Sequence, residues 1–248
     1  MRQFGLIGKT LKHSFSKTYF SRKFALEGLD DCRYDNFELA SIAELPALFL
    51  DNPDLVGLNV TIPYKEEVLS YLDELSPAVQ AIGACNCIHI HKGRKIGYNT
   101  DAYGFAESIR PFLWPADRKA LVLGTGGASK AVCFALTQLG LDQQLVSRKG
   151  AAPAIRYEDL DGEMMRAFSV IVNTTPLGTF PDVNEAPPIP YEYLGSHHLL
   201  FDLVYNPAKT LFLQQGEARG ARIANGYRML ELQAEASWEH WKGEGNIE

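Results

Sequence analysis

A glycine-rich segment, Gly124–Ser129 (GTGGAS), most constrains how this chain can fold. It follows the apolar run Ala120–Leu123 and precedes a stretch whose apolar spacing predicts a helix over Ala128–Leu139. A buried strand, a glycine turn and a helix in this order are typical of a parallel α/β unit whose helix N-terminus binds a phosphate. The alternative is an ordinary glycine-rich turn.

The segment matches a dinucleotide fingerprint, Gly-x-Gly-x-x-small. The first glycine allows the tight turn, and the second lets a pyrophosphate approach the backbone. Ser129 replaces the third glycine but is still small. The candidate cofactor residues of this loop are Gly124, Thr125, Gly126, Gly127 and Ala128.

The next predicted strand, Gln143–Lys149, indicates which dinucleotide would bind. NAD-binding units usually carry an acidic residue there, roughly 20 residues after the first glycine, for the ribose 2′-hydroxyl. This chain has Ser147, Arg148 and Lys149 instead. Two cations attract a 2′-phosphate, so the sequence favours NADP over NAD.

The first half of the chain predicts a small α/β sheet, separated from the second half near residue 105. Four runs read as strands: Arg2–Ile7, Arg33–Phe37, Leu55–Ile62 and Ile88–His91. Three stretches between them read as helices: Lys17–Glu27, Ile42–Leu50 and Tyr64–Leu72. We expect polar residues at the strand ends to bind a substrate.

The segment Asn59–Lys65 (NVTIPYK) is the most informative of these strand ends. Val60 and Ile62 alternate with polar residues, and Pro63 ends the strand because it has no N–H for the ladder. Lys65 is then predicted in the first turn of a helix, where a cation is disfavoured. A solvated surface lysine is the alternative.

Three further polar clusters accompany this lysine. They are His13–Ser16 (HSFS), Gly83–Cys87 (GACNC) and Gly97–Gly104 (GYNTDAYG). Spacing by two in an extended loop puts the hydroxyls of Ser14 and Ser16 on one side, where they can hold a carboxylate or a polyol. The alternatives are structural: Ser14, Ser16 or Asp101 could cap a helix, and Asn86 could be a turn residue.

Taken together, the four clusters resemble the shikimate dehydrogenase family. Its order is Ser-x-Ser, Asn-Val-Thr-x-Pro-x-Lys, Gly-Ala-x-Asn and Asn-Thr-Asp-x-x-Gly, and the resemblance covers nearly all 248 residues. It implies an α/β fold with an N-terminal substrate domain (1–105) and a Rossmann-type NADP-binding domain (106–227). A C-terminal helix (228–248) would pack back on the first domain.

The resemblance also implies roles for individual residues. Lys65 and Asp101 correspond to the catalytic pair. The implied substrate contacts are Ser14, Ser16, Thr61, Asn86, Tyr205 and Gln233. Three segments of the second half resemble further family motifs: Asn173–Gly178, Asp202–Pro207 and Asn225–Gln233. These add Thr174 and Gly226 to the implied cofactor contacts.

Two departures from the family pattern stand out. NADP-using members typically carry a second arginine soon after the one that Arg148 matches, and here Gly150–Pro153 follows instead. Arg228 stands where the family often has glycine. The first departure affects the expected strength of the NADP preference but not its direction. The second could narrow the nicotinamide pocket or add a contact.

The function that the resemblance implies is the NADPH-dependent, reversible reduction of 3-dehydroshikimate to shikimate in aromatic amino-acid biosynthesis. One alternative is a relative that oxidises quinate with NAD or NADP, and such relatives tend to lack the second hydroxyl of the serine pair. The other is a non-catalytic sensor of shikimate or NADP, which should have lost the Lys65–Asp101 pair. Gln233 could also be a plain helix surface residue.

Composition excludes several other classes. The net charge is −6 and no basic tract exists, so we expect no nucleic-acid partner. No apolar run approaches the ~20 residues of a membrane span. The four cysteines lack metal-ligand spacing, so we expect no metal and free thiols in the cytoplasm. We expect a monomer or a homodimer.

Overall fold

The structure is a computed structural model that describes residues 1–11 and 14–243. It consists of two compact units. The first unit contains Met1–Thr100 and the segment from Ala234 onward, and the second contains Asp101–Gln233. Each unit has its own six-stranded sheet.

The sheet of the first unit is mixed. Its strands are β1 (Arg2–Gly8), β2 (Cys32–Glu38), β3 (Leu55–Val60), β4 (Glu74–Leu75), β5 (Cys87–His91) and β6 (Arg94–Tyr98). They lie in the order β2-β1-β3-β5-β6-β4. Strand β1 runs parallel to β2 and β3, whereas β5 runs antiparallel to β3 and β6. The helices of this half are α1 (Phe15–Glu27), α2 (Leu45–Asp51), α3 (Pro77–Ile82) and α4 (Thr100–Ile109).

The sheet of the second unit is entirely parallel. Its strands are β7 (Lys119–Leu123), β8 (Asp142–Ser147), β9 (Ile155–Arg156), β10 (Val170–Asn173), β11 (Leu199–Asp202) and β12 (Arg222–Asn225). They lie in the order β12-β11-β10-β7-β8-β9. The helices are α5 (Gly127–Gln138), α6 (Gly162–Ala167), α7 (Leu211–Ala218) and α8 (Tyr227–Lys242). The α/β fold predicted from the sequence is confirmed.

Hydrophobic clusters cover both faces of the first sheet. Side chains of β1 alternate between them, because Phe4 belongs to one cluster and Ile7 to the other. The cluster around Phe4 also contains Trp238 and Trp241 from the last turns of α8. The end of the C-terminal helix is therefore part of the first unit's core.

Most of the predicted elements of the first half are confirmed, but the segment around Lys65 differs. Strand β3 ends at Val60, and Ile62 is 74% exposed. The α-helix predicted over Tyr64–Leu72 is wrong, because turns are followed by a 3₁₀ helix at Glu67–Tyr71. The physical reason is that the Lys65 carbonyl accepts the N–H of Cys85 at 2.8 Å, so it does not serve an α-helical ladder.

The described residues contain neither a candidate membrane span nor a candidate metal site. Between residues 1 and 243, with 12 and 13 left aside, no helix has the length and apolar character needed to cross a bilayer. Within the same ranges, no three His, Cys, Asp or Glu side chains form a group that could hold a metal ion.

Candidate active site

Backbone hydrogen bonds place three of the predicted substrate and catalytic residues on adjoining segments of the first unit. Thr61 directly follows β3, whose last residue, Val60, donates its N–H to the Asn86 carbonyl at 2.9 Å. Lys65 is joined to Cys85 as described above, and Asn86 follows in the chain. Lys65 is half-buried rather than fully solvated. The sequence clusters around Thr61, Lys65 and Asn86 thus meet at one edge of the sheet.

Asn86 is a buried residue with a fixed side-chain orientation, not only a turn asparagine. Its Oδ1 accepts the backbone N–H of Thr100 at 2.7 Å, and its Nδ2 donates to the Thr100 hydroxyl at 3.0 Å. A backbone N–H can only donate, so this contact identifies the oxygen of the amide. Asn86 is thereby tied to the residue that precedes Asp101.

The two serines of the Ser-x-Ser pair have different surroundings. Ser14 occupies the N-cap position of α1 but makes no capping bond, and its Oγ is buried without a hydrogen-bond partner among the described residues. Ser16 lies inside α1 and is buried, so the capping alternative is wrong for Ser16. His13, from the same cluster, lies outside the described residues. A buried hydroxyl without a partner points to a ligand contact at Ser14.

The remaining predicted substrate residues belong to the second unit. Asp101 is the second residue of α4 and is buried, so it is not the N-cap. Gln233 is 8% exposed, which rules out a plain surface position on α8. Tyr205 follows β11 and is half-buried, and burial raises the pKa of its phenol. Since Lys65 and Asp101 lie in different units, their pairing stays a prediction.

The predicted cofactor residues lie along the carboxyl edge of the second sheet. The strand order changes direction at β7 and β10, which are neighbours in the sheet but not consecutive in the chain. Open parallel sheets bind ligands at such a switch point, outside the carboxyl ends of the strands. The glycine loop follows β7, Thr174 follows β10, and Gly226 follows β12.

Close approaches explain two of the glycines on this edge. Gly124 has a φ of 114°, and a Cβ there would lie 2.6 Å from Oγ1 of Thr174. A Cβ at Gly226 would collide with the Leu203 carbonyl. By contrast, a Cβ at Gly126 would meet nothing within 4 Å, so space is open beside the backbone that starts α5. This is the space that a pyrophosphate requires.

A cavity of ≈ 870 Å³ opens between the glycine loop and the end of β8. Its polar lining residues are Thr125, Ser129, Lys130, Ser147, Arg148 and Lys149. The lining that the structure describes contains three cations and no carboxylate. The site therefore fits a ligand that carries several negative charges at this end.

Lys130 is a cavity residue that our sequence analysis missed. It lies in the first turn of α5, where a cation is disfavoured by the helix dipole. The same argument drew attention to Lys65, so the signal was present in the sequence. Lys130 partly offsets the absent second arginine, because it adds a third positive charge to the cavity.

Comparison with known proteins identifies the family of this chain. A family model described as the shikimate dehydrogenase substrate binding domain matches residues 6–88. A shikimate dehydrogenase (NADP(+)) of Caldicellulosiruptor bescii is 35% identical over 253 residues, which cover 94% of this chain and 87% of that protein.

Two solved structures extend the comparison. A shikimate 5-dehydrogenase of Thermus thermophilus in complex with NADP(H) and shikimate has a TM-score of 0.87 and 32% identity, covering 98% of this chain and 94% of that one. A quinate dehydrogenase of Corynebacterium glutamicum in complex with NAD has the same TM-score of 0.87 at 26% identity, with the same coverage of 98% and 94%. The identity and coverage of the first two relatives show that this chain belongs to the shikimate dehydrogenase family.

Proposed function

We propose that this chain catalyses the NADPH-dependent, reversible reduction of 3-dehydroshikimate to shikimate, a step of aromatic amino-acid biosynthesis. The observation that carries the proposal is the meeting of Thr61, Lys65 and Asn86 at one sheet edge of the first unit. Membership of the family supports it, because the relatives compared above include one named shikimate dehydrogenase (NADP(+)) and one solved with NADP(H) and shikimate.

The second unit fits NADP at its carboxyl edge. The residues that would hold the cofactor are Gly124, Thr125, Gly126, Gly127, Ala128, Ser147, Arg148, Lys149, Thr174 and Gly226. Open space at Gly126 suits the pyrophosphate, and the cationic cavity suits the 2′-phosphate. When bound, NADPH supplies the hydride.

Lys65 supplies the proton. Reduction adds a hydride to the ketone carbon of 3-dehydroshikimate and a proton to its oxygen. The Lys65 ammonium donates this proton and becomes a neutral amine, and in the reverse direction the amine takes the proton from the shikimate hydroxyl. Asp101 holds the ammonium in place and contacts a ring hydroxyl.

The other polar residues position the substrate. Ser14 and Ser16 bind the carboxylate, and the buried Ser14 Oγ without a described partner supports this assignment. Tyr205 adds a contact to the same group. Asn86 and Gln233 bind ring hydroxyls, which hold the ketone in a fixed position relative to Lys65.

The organisation and cellular context follow from the same proposal. The substrate domain would comprise residues 1–105, the NADP-binding domain 106–227, and the returning helix 228–248. A cytoplasmic location is supported by the four cysteines, which are all free thiols. Whether the protein is a monomer or a homodimer stays a prediction, as does the absence of a nucleic-acid partner.

A spectrophotometric assay tests the function and the choice of cofactor together. We expect shikimate oxidation with NADP, followed by the absorbance of the reduced nicotinamide, and a higher kcat/KM with NADP than with NAD. A charge-assisted contact contributes about 1.5–3 kcal/mol, so Arg148→Ala should weaken the binding of NADP by roughly ten- to a hundredfold. Its effect on the binding of NAD should be small.

Arg219→Ala is the matched control, because Arg219 is an exposed arginine of the same unit outside the cavity lining. It should leave the affinity for both cofactors unchanged. If Arg148→Ala weakened the binding of NADP and NAD equally, the assignment of Arg148 to the 2′-phosphate would be wrong. Equal use of both cofactors by the wild-type protein would also contradict it.

Quinate tests the choice of substrate. Quinate carries an additional hydroxyl at the carboxyl-bearing carbon, which would crowd the serine pair or be buried without a partner at a cost of about 1–3 kcal/mol. We therefore expect kcat/KM for shikimate to exceed that for quinate by at least about tenfold. Ser14→Gly should reduce this ratio because it opens space.

The control for Ser14→Gly is Ser70→Gly, which alters an exposed serine of the 3₁₀ helix in the same unit. It should keep the wild-type ratio. Equal kcat/KM values for the two acids in the wild-type enzyme would instead assign the protein to the quinate-oxidising relatives.

A further inference from the structure

A chain of buried polar side chains crosses the interior of the first unit. Its members are Tyr34, Asn59, Ser237, Thr100 and Asn86. None is more than 4% exposed. Asn86 is a proposed substrate contact and stands at one end of the chain. The other four residues have no assigned role in the reaction.

The first half of this polar chain runs from β2 to α8. The hydroxyl of Tyr34 donates to Oδ1 of Asn59 at 2.8 Å. Asn59 Nδ2 donates to Oγ of Ser237 at 2.9 Å and to the carbonyl of Asn86 at 3.3 Å. A carbonyl can only accept, so the second contact fixes which end of the Asn59 amide is nitrogen.

The second half returns to the sheet edge. Oγ of Ser237 lies 3.2 Å from Oγ1 of Thr100, and that hydroxyl accepts from Nδ2 of Asn86 at 3.0 Å. Burial raises the pKa of Tyr34 well above its ordinary value, so its phenol stays protonated and remains a donor. Every link therefore has a donor and an acceptor, as a buried network requires.

We propose that this chain of hydrogen bonds orients Asn86 for the substrate, with Tyr34 and Ser237 as positioning residues. The inference rests on the proposed function of Asn86. Tyr34 acts through Asn59, whose Nδ2 donates to the Asn86 carbonyl and to Ser237. Ser237 acts on Asn86 through Thr100, which bonds both ends of the Asn86 amide. The C-terminal helix thereby takes part in substrate binding through a residue that touches no substrate.

Tyr34→Phe is the cleanest test of this proposal. It removes one oxygen and keeps the ring, which stacks on Phe20 at 4.7 Å with an interplanar angle of 10°. Loss of one orienting hydrogen bond should raise KM for shikimate by about three- to tenfold and change kcat and KM for NADP much less. Ser237→Ala should have the same signature, and it provides a second variant if one folds poorly.

A double-mutant cycle separates positioning from mere stability. If Tyr34 acts through Asn86, Tyr34→Phe should raise KM in the wild-type background but not in the Asn86→Ala background. Ser108→Ala is the matched control, because it removes a buried hydroxyl that bonds the Phe105 carbonyl outside this chain. It should leave KM for shikimate unchanged even if thermal stability falls.

The outcomes are distinguishable. If the wild-type protein oxidises shikimate but the Tyr34→Phe and Asn86→Ala effects on KM simply add, the positioning role is overturned and the proposed function stands. The same holds if Tyr34→Phe and Ser237→Ala lower stability and leave KM at the wild-type value. If the wild-type protein shows no turnover of shikimate with NADP, the proposed function and this inference both fail.

Discussion

Lys65→Ala is expected to lower kcat by about 10²–10⁴, the usual scale for the loss of a general acid. Removal of the side chain should not move the backbone, because the Lys65 carbonyl accepts the Cys85 N–H at 2.8 Å. The substitution removes the proton donor but leaves Thr61 and Asn86 where they are. KM for shikimate should therefore change much less than kcat, and steady-state kinetics in both directions measure the two effects separately.

Two other variants test whether this effect is specific to Lys65 and its proposed partner. Lys95→Ala alters a lysine of the same unit whose partner is the surface carboxylate of Asp73 at 2.7 Å, and it should retain near-normal turnover. Asp101→Asn should reduce both turnover and affinity, because Asp101 is assigned to the Lys65 ammonium and to the ring. Near-normal kcat in folded Lys65→Ala would remove Lys65 from the mechanism.

The parts of the fold that the sequence predicted are those governed by local signals. The apolar run before Gly124, the glycines themselves and the periodic stretch after them predicted β7, the loop and α5 within one residue at each end. The signal is strong because a phosphate-binding turn, a buried strand and a helix each impose their own residue types over a short span.

The parts that were predicted wrongly or missed depend on contacts distant in sequence. The prediction of a helix at Tyr64–Leu72 fails because the Lys65 carbonyl accepts the N–H of Cys85, which is distant in sequence. Strand β6 was not predicted, since its sequence RKIGY has little apolar alternation. It is formed by pairing with β5 across the Lys92–Gly93 turn, in which both φ angles are positive (51° and 78°).

The candidate site likewise contains residues that local motifs predict and residues that only long-range contacts bring together. Side chains that would contact ligand, such as Ser14, Lys65 and Arg148, belong to short motifs that can be read directly. The residues that position them do not: Asn59 and Ser237 are 178 residues apart in the chain and 2.9 Å apart in the fold. No periodicity or spacing rule links a serine on the last helix to an asparagine at the end of β3.

Trp241 should contribute more to stability than any residue discussed above. Its indole N–H donates to the Ile88 carbonyl at 2.9 Å, and its ring stacks on Phe4 with centroids 5.0 Å apart. It is 4% exposed, and a Cβ at Gly57 would collide with its indole. Removing so large a buried side chain typically costs about 3–5 kcal/mol, and we expect this loss for Trp241→Ala in urea unfolding.

Two comparisons make the Trp241 prediction specific. Trp114→Ala removes an indole that is 49% exposed, so its cost should be clearly smaller. Gly57→Ala should destabilise the wild-type protein by about 1–3 kcal/mol through overpacking against the indole. In the Trp241→Ala background the new methyl group has room, so this penalty should largely disappear.

If Trp241→Ala lowered the free energy of unfolding no more than Trp114→Ala, the role of Trp241 in fixing the end of α8 to the first sheet would be contradicted. That result would also weaken the positioning role of Ser237, which lies one helical turn earlier on α8.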